Sequence, residues 1–236
     1  MSLHVIVEGE GKPLVLFHGW GFDSHIWTPL CPILNQRYRL YRVDLPGFGL
    51  SAQMPWDHFK STLLKQLPDE FAIAGWSMGG LMATRLALEA PSRVTHVMNI
   101  ASSPRFIQDE NWPGITPVVF SQFYNDLVEN PLDTLTRFVS MQRVHEVSLK
   151  TTPNLDSLRA GLDVLLNWDF REHLYRLGKP VCYLFGQLDM ITPRKIMTTM
   201  ECIYPQFEYR IFTKAAHMPF LSHMHLFIEL LDEFLI

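Results

Sequence analysis

A stretch of ten residues, 71–80, constrains the fold more than any other part of the chain. Four apolar residues, 71–74, lead into Gly-Trp-Ser-Met-Gly at 75–79, and a helical pattern follows at once over 81–88. A buried strand, a sharp turn and a helix are the context in which Gly-x-Ser-x-Gly forms a nucleophile elbow. The serine then lies in strained backbone at the start of a helix, where free N–H groups favour negative charge. An idle serine in a glycine-rich turn is the alternative, so the rest of the chain has to decide.

Length, charge and cysteine content limit the class of protein. A chain of 236 residues is long enough for one α/β domain with a large core, so it needs no disulfides. Its three cysteines are an odd number without a Cys-x-x-Cys pair, which argues against a disulfide framework and a zinc site. A net charge of −4 gives no reason to expect nucleic acid. No uncharged apolar run approaches the roughly 18 residues of a membrane span. We expect a soluble cytoplasmic enzyme.

Strand and helix patterns alternate along most of the chain, which is typical of a parallel sheet with right-handed crossovers. The predicted strands are 5–7, 14–17, 38–43, 71–74, 94–100, 181–185 and 208–212. Residues 104–178 interrupt the alternation with helical patterns alone, over 117–129, 131–145 and 154–168. We therefore expect one domain over 1–236, with a core of 1–103 and 179–236 and a helical lid over 104–178.

Polar residues follow four of the predicted strands, and three of them occur in the order serine, aspartate, histidine. These are Ser77, Asp189 and His217. In an open α/β sheet, ligands bind beyond the carboxyl ends of the strands. A serine hydroxyl becomes a good nucleophile when a neighbouring base takes its proton. We assign that base to His217 and expect Asp189 to hold the other imidazole nitrogen and stabilise the imidazolium.

Each of these assignments has a rival. The chain has ten histidines, so a structural role for His217 is possible on numbers alone. Asp189 might only cap the helix that begins near Pro193. Asp163 and Asp169 are alternative acids, although both lie in the helical segment and not at a strand end.

The oxyanion of an ester's tetrahedral intermediate needs hydrogen-bond donors that are in place before it forms. The residue after the nucleophile, Met78, is expected to supply one backbone N–H, and Trp20 in the loop after the second strand the other. Trp20 is also expected to line the acyl pocket. His18 precedes that loop, and we expect it to hold the loop by hydrogen bonds instead of acting as a base.

Residues 18–21, the loop 44–51, the elbow around Ser77 and the strand endings at Asp189 and His217 together resemble the α/β-hydrolase superfamily. Residues 43–49, 75–81, 101–104 with 112–115, and 214–220 resemble, more narrowly, the pimeloyl-acyl-carrier-protein methyl ester esterases of biotin synthesis. It implies an α/β-hydrolase fold, with a mostly parallel doubly wound sheet and a helical lid inserted after the sixth strand. It implies hydrolysis of a pimeloyl methyl ester on acyl-carrier protein, with release of methanol and without a metal or organic cofactor.

The resemblance also extends the set of site residues. It implies that Trp20 and Met78 contact substrate, and that a lid segment does so through Phe138, Val139, Ser140, Met141 and Gln142. Basic lid residues would receive the acidic carrier, namely Arg137, Arg143, Lys150 and Arg159. The segment 142–153 is shorter and less basic than in that family, and these residues could equally form the solvated face of lid helices.

Three functions therefore remain open at this point. The first is the biotin-pathway esterase, acting as a monomer that meets its carrier protein transiently. The second is a broad carboxylesterase for short free esters, with the same fold and triad. The third is a hydrolase-like receptor that binds a ligand without turnover, which an intact serine, acid and histidine set disfavours.

Overall fold

The computed structural model describes residues 2–142 and 151–235. Within these residues the chain forms a seven-stranded sheet in the order β1-β3-β2-β4-β5-β6-β7. The strands are β1 Val5–Glu8, β2 Lys12–Phe17, β3 Tyr38–Val43, β4 Phe71–Trp76, β5 Val94–Ile100, β6 Val181–Gly186 and β7 Glu208–Phe212. Only β1, at one edge, pairs antiparallel to its neighbour. The prediction of a mostly parallel sheet is confirmed.

Helices cover both faces of this sheet. They are α1 Cys31–Leu34, α2 Trp56–Gln66, α3 Met78–Glu89, α4 Pro117–Glu129, α5 Pro131–Ser140, α6 Leu155–Asn167, α7 Arg194–Ile203, α8 Pro219–Ser222 and α9 Met224–Phe234. The described residues also include two 3₁₀ helices, Ser24–Leu30 and Arg171–Arg176. None of the described helices is long and apolar enough to cross a membrane.

The strands carry two apolar layers because successive side chains of a strand point to opposite faces. In β2, Val15 and Phe17 join the layer packed by α2, α3 and α6. Their neighbours Leu14 and Leu16 join the layer packed by α9. β4 and β6 are buried along their whole length, as expected of central parallel strands. The sheet is therefore doubly wound.

The chain reverses its direction across the sheet at β2. β3 lies on one side of β2, and β4 lies on the other. Loops after β2 and β4 thus separate at their carboxyl ends, and this is where open α/β sheets bind ligands. The fold places the loop of Trp20 and the turn of Ser77 at that point.

The helical insertion, residues 104–178, follows the fifth strand, so the prediction that it follows the sixth is wrong. Strands β1 to β5 all end before residue 104, and the sixth strand, β6, begins only at Val181, after the insertion. Its described part contains α4, α5, α6 and the second 3₁₀ helix. Two isolated β-bridges, Ile107–Ile115 and Asp109–Trp112, also occur there. The helix predicted over 131–145 ends as α5 at Ser140, and 143–150 lie outside the described residues.

Two other helical regions are irregular. Residues 24–34 are mostly 3₁₀ helix, because Ser24–Leu30 has Pro29 inside it and only Cys31–Leu34 is α-helical. Proline lacks the N–H that an α-helix interior needs. The C-terminal helix is divided into α8 and α9 at His223, whose φ of −132° and ψ of 49° are not helical.

Candidate active site

Ser77 occupies a sharp turn between β4 and α3. Its φ of 55° and ψ of −121° lie outside the regions that L-residues normally adopt. The flanking glycines allow close backbone approach: a Cβ on Gly75 would lie 2.3 Å from the Gly79 carbonyl oxygen. A Cβ on Gly79 would lie 2.4 Å from the carbonyl oxygen of His18. Any larger residue at either position would force the turn open, which explains the Gly-x-Ser-x-Gly spacing.

A continuous hydrogen-bonded path joins Ser77, His217 and Asp189. The Ser77 hydroxyl lies 2.9 Å from His217 Nε2, and His217 Nδ1 lies 2.8 Å from Asp189 Oδ2. An ionised carboxylate only accepts hydrogen bonds, so Nδ1 carries the proton and Nε2 is free to accept from Ser77. Ser77 is 5% exposed, and the other two residues are 3% exposed each. Residues 140 and 28 positions apart thus meet in a nearly dry site.

The Asp189 carboxylate is held by four groups. Oδ1 accepts the backbone N–H groups of Ile191 (2.8 Å) and Thr192 (3.0 Å). Oδ2 accepts the Thr192 hydroxyl at 2.5 Å as well as His217 Nδ1. Burial acts to raise the pKa of Asp189, but His217 and the Thr192 hydrogen bonds outweigh it, and the pKa is lowered. The carboxylate is therefore ionised at neutral pH.

The His217 backbone is anchored by Trp76, the last residue of β4. Trp76 Nε1 donates to the His217 carbonyl oxygen at 2.8 Å, and the two rings lie 5.6 Å apart. The rival acids are elsewhere. Asp169 pairs with Arg105 and Arg171, and Asp163 is exposed on α6. Of the candidate acids, the structure brings only Asp189 to His217.

The two expected oxyanion donors are Met78, which adjoins Ser77 in the chain, and Trp20, which lies in the loop after β2. Met78 is the first residue of α3, so its N–H has no acceptor within the helix. Trp20 is 2% exposed, and its indole N–H donates to the Leu158 carbonyl oxygen of α6 at 2.8 Å. Within residues 2–142 and 151–235, neither the Trp20 nor the Met78 backbone N–H donates to a loop or turn acceptor. Both remain available to a ligand.

His18 is used within its own loop. Its Nδ1 donates to the Gly19 carbonyl oxygen at 2.8 Å, and its Nε2 accepts the Leu45 N–H at 2.9 Å. Burial lowers the pKa of His18, against the opposing effect of Asp44 and Asp23. A neutral ring with both nitrogens engaged cannot act as a base, so His18 holds the Trp20 loop in place, as the sequence suggested.

The segment 138–142 contributes unequally to the site. The Phe138 ring meets Trp20 edge-on at 5.0 Å, and Val139 packs at the margin of the layer that contains Trp76. Gln142 is buried, and its amide nitrogen donates to the Phe138 carbonyl oxygen at 2.9 Å. Ser140 and Met141 are exposed. Phe138 reaches the predicted oxyanion loop, whereas Ser140 and Met141 do not face inward.

Two of the four basic residues expected to receive a carrier protein, Arg137 and Arg159, are exposed on the insertion. Arg137 pairs with Asp126 of α4 at 2.9 Å and more distantly with Asp133. Arg159 contacts the Tyr124 hydroxyl at 3.1 Å. Arg143 and Lys150 lie outside the described residues.

This combination of sheet, elbow and hydrogen-bonded triad has clear counterparts among known proteins. A profile described as "Alpha/beta hydrolase family" matches residues 14–230. The chain belongs to the alpha/beta hydrolase family.

Relatives narrow the comparison within that family. The chain is 53% identical over 238 residues to the pimeloyl-[acyl-carrier protein] methyl ester esterase of Legionella pneumophila (strain Corby), with 100% of both chains covered. It is 38% identical to the protein of the same name from Aliivibrio salmonicida (strain LFI1238), covering 100% of this chain and 99% of the relative. The similarity to esterases of that name therefore extends over the whole chain.

Solved structures agree on the fold. An esterase from Exiguobacterium antarcticum superposes with a TM-score of 0.89 at 21% identity, over 98% of this chain and 94% of its own. A bromoperoxidase from Bacillus anthracis gives 0.89 at 25% identity, over 99% and 95%. Proteins of different named activities share this hydrolase fold, so the substrate must be argued from the site and the relatives.

Sequence reasoning missed three residues that support the hydrolase site. Thr192 holds Asp189, Trp76 holds the His217 loop, and the Ser102 hydroxyl donates to the Ser77 carbonyl oxygen at 2.8 Å. The spacing Asp-x-x-Thr before a helix could have indicated Thr192, because such short-range hydrogen bonds are common there. The bonds of Trp76 and Ser102 join distant segments and leave no local signal.

An apolar cavity of about 70 Å³ lies beside Met78. Met82 and Gly161 also line it, as does Trp168 at the end of α6.

Among the residues that the structure describes, no three histidine, cysteine, aspartate or glutamate side chains cluster as a metal site requires.

Proposed function

We propose that this protein is a serine carboxylesterase that hydrolyses the methyl ester of a pimeloyl chain carried on acyl-carrier protein. The hydrogen-bonded path from Ser77 through His217 to Asp189 is the observation that supports ester hydrolysis. The substrate is proposed from the full-length relatives, whose printed name is that of this esterase. We place this reaction of biotin synthesis in the cytoplasm and expect the enzyme to act as a monomer.

The chemistry begins at the Ser77 hydroxyl. Its Oγ attacks the ester carbonyl carbon while His217 Nε2 takes the hydroxyl proton, and Asp189 stabilises the imidazolium. The carbonyl oxygen becomes an oxyanion, which accepts the Met78 and Trp20 backbone N–H groups. When the intermediate collapses, the C–O bond to the methoxy group breaks and His217 returns its proton, so methanol leaves.

The second half-reaction frees the acid. Water attacks the Ser77 acyl ester, and His217 takes a proton from that water. Collapse of the second tetrahedral intermediate breaks the bond to Ser77 Oγ, which regains a proton from His217. The carboxylic acid is released and the enzyme returns to its starting state.

The helical insertion acts as a lid of the single domain in this proposal. Phe138 on α5 packs against Trp20, and Ser77 is 5% exposed. We infer that this aromatic contact opens when an acyl chain on a carrier protein enters the site. The lid would comprise 104–178, with 1–103 and 179–236 as the core.

Carrier recognition is proposed for Arg137 and Arg159, together with Arg143 and Lys150. The exposed position of the first two supports contact with an acidic partner. Asp126 competes for Arg137, however, because the two side chains form an ion pair at 2.9 Å. This pairing favours the second candidate, a broad carboxylesterase acting on short free esters, which would need no positive surface.

The decisive experiment compares two substrates on the purified enzyme. Methanol release is measured from pimeloyl-carrier methyl ester and from a short free methyl ester, with Ser77→Ala as the matched variant. We expect turnover of the carrier substrate by the unmutated enzyme and a loss of about 10⁶-fold in Ser77→Ala, as for other serine hydrolases. The gene should also rescue a biotin auxotroph that lacks its own esterase.

The possible outcomes separate the candidates. Turnover of the free ester alone, without rescue, would leave the broad carboxylesterase. Tight binding of esters with no methanol release from either substrate would indicate a receptor. Full activity in a pure Ser77→Ala preparation would contradict the mechanism itself.

A further inference from the structure

Ser102 is a buried serine that has no place in the mechanism above, yet it contacts the nucleophile's own backbone. It lies just beyond the end of β5 and is 1% exposed. Its hydroxyl donates to the carbonyl oxygen of Ser77 at 2.8 Å. A hydroxyl buried this deeply is expected to have a partner, and here the partner is the peptide unit at the centre of the elbow.

That peptide unit also carries an expected oxyanion donor. The carbonyl of Ser77 and the N–H of Met78 belong to the same peptide group, which is planar and trans. The two therefore point in opposite directions, and rotating one rotates the other. A side chain that fixes the Ser77 carbonyl oxygen consequently fixes the direction of the Met78 N–H.

The elbow backbone needs such support because its conformation is unfavourable. Residues held in sparsely populated regions of φ and ψ cost about 1–3 kcal/mol and persist only when their surroundings hold them. The other donors to the Ser77 carbonyl, the N–H groups of Gly80 and Leu81, are 3.0 and 3.3 Å away. The Ser102 hydroxyl is the nearest of the three donors and the only side chain among them.

Ser102 is itself held firmly. A Cβ on Gly80 would lie 2.6 Å from both Ser102 Cβ and Oγ, so α3 packs directly against this side chain. On the strand side, the Ala101 N–H donates to Leu184 of β6 at 2.7 Å, and Ile100 accepts the Ser77 N–H at 2.8 Å. The end of β5 thus ties both sides of Ser77 to the sheet.

We infer that Ser102 is a positioning residue that aims the Met78 N–H at the ester oxyanion. Donation to an amide carbonyl also polarises the N–H of the same unit, which strengthens its hydrogen bond to an anion. The inference rests on the proposed function, because it assigns Met78 the oxyanion role. It predicts a defect in transition-state stabilisation and not in substrate binding.

The test uses two neighbouring serines. Ser103 is as buried as Ser102, but its hydroxyl donates to the Arg105 carbonyl oxygen at 2.6 Å, away from the elbow. Ser102→Ala should lower kcat on a short free ester by roughly 10-fold, which is less than the 10²–10³ seen when a whole oxyanion donor is lost. KM should change little. Ser103→Ala should leave kcat within twofold, and thermal unfolding of both variants checks their folding.

A trifluoromethyl ketone gives a second readout, because it forms a tetrahedral oxyanion on the serine. Its inhibition constant should rise in Ser102→Ala by the factor by which kcat/KM falls, while the pH dependence of kcat/KM should keep its shape. Ser102→Cys retains the side-chain size with a weaker donor. It serves as the test variant if the alanine variant does not fold, and it should show the same losses to a smaller degree.

Failure of the inference is distinct from failure of the proposed function. Unchanged kcat in a folded Ser102 variant, or equal losses in Ser102→Ala and Ser103→Ala, would overturn the positioning role while leaving Ser77 as nucleophile. Activity in Ser77→Ala would overturn the proposed function regardless of Ser102.

Discussion

The sheet and the helical insertion bring residues to the same site by different forces. Asp189, at the end of β6, accepts four directional hydrogen bonds and is almost completely buried. Phe138, on α5, is held by aromatic contacts with Trp20, Phe22 and Phe123, and its side chain is partly exposed. Directional bonds fix angles, whereas apolar contacts can separate and form again with little geometric demand.

We expect the two regions to have different roles, with the catalytic chemistry on the sheet side and control of substrate access on the insertion. The sheet side holds Ser77, His217 and Asp189 within hydrogen-bonding distance of one another. The insertion contributes Phe138, whose ring packs edge-on against Trp20. Substitutions on the sheet side should therefore reduce kcat, and substitutions on the insertion should alter substrate binding or preference.

After Ser77→Ala, the largest effect is expected for Asp189→Asn. An amide presents an N–H or a neutral oxygen to His217, so the tautomer with a free Nε2 is no longer favoured. We expect kcat to fall by about 10⁴-fold, with KM within a few-fold, as for the corresponding change in a serine protease triad. Steady-state kinetics on a p-nitrophenyl ester measure this directly.

Asp163→Asn is the control for that prediction, because Asp163 is exposed on α6 and does not contact His217. It should leave kcat unchanged. A large kcat defect in Asp163→Asn together with normal activity in Asp189→Asn would reverse the assignment of the acid.

A smaller effect is expected for Phe138→Ala on the insertion. The edge-on contact with Trp20 is worth about 0.5–1.5 kcal/mol beyond the buried area, and its loss also opens the site to water. We expect kcat/KM to fall roughly 10-fold for both free and carrier-bound esters. Leu132→Ala, at an exposed position of the same helix, should have little effect. A kcat loss as large as that of Asp189→Asn would contradict the division between chemistry and access.

The sequence allowed accurate prediction where local pattern and fold topology reinforce each other. Ser77 could be placed because an apolar strand, glycines and a helix surround it. Asp189 and His217 could be joined to it because parallel strands end at one edge of the sheet, although they are far apart in the chain. Helix α4 was predicted with its observed bounds, since proline begins it and an amphipathic pattern fills it.

Contacts between distant segments could not be predicted in the same way. The Ser102 hydroxyl and the Trp76 indole each donate to a backbone carbonyl oxygen. Every residue has such a carbonyl, so the sequence does not indicate which one is the acceptor. The exposure of Ser140 and Met141 depends on where α5 ends and how it is turned against Trp20. A resemblance can assign a whole segment to substrate, but only packing shows that Phe138 contacts Trp20 while Ser140 and Met141 are exposed.

The buried His18 ring should make the free energy of unfolding depend on pH, and this dependence tests whether the Trp20 loop needs a neutral imidazole. Burial lowers its pKa, so the unfolded chain binds a proton at a higher pH than the folded protein does. The free energy of unfolding should therefore fall as pH decreases below about 6.5, by at most about 1.4 kcal/mol per pH unit for one proton. Asp44, whose pKa is lowered despite burial, affects stability only at more acidic pH.

Urea unfolding between pH 7.5 and 5.5 measures this slope, and His18→Asn should reduce it. Burial also lowers the pKa of His96, so both measurements are best made in a His96→Gln background. An identical slope with and without His18 would show that the Trp20 loop does not depend on a neutral imidazole.

The smallest effect is expected at the surface of the insertion, where the two esterase candidates differ. Exposed ion pairs are worth about 0.2–1 kcal/mol, so each exposed arginine should change carrier affinity by less than roughly fivefold. Arg159→Ala should lower kcat/KM for the carrier-bound ester at low salt and leave kcat/KM for the free ester unchanged.

Asp126→Asn should raise kcat/KM for the carrier-bound ester, because it releases Arg137 from its 2.9 Å ion pair. It should also leave kcat/KM for the free ester unchanged. Hydrogen bonds from Gln122 and Arg137 lower the pKa of Asp126, so this competing charge is present throughout the neutral range. Raising the salt concentration to 0.5 M should abolish both effects, since the Debye length is already only about 10 Å at 0.1 M. If Asp126→Asn improves neither substrate, or if Arg159→Ala damages the free ester equally, the insertion does not steer a carrier protein and the broad carboxylesterase is the better description.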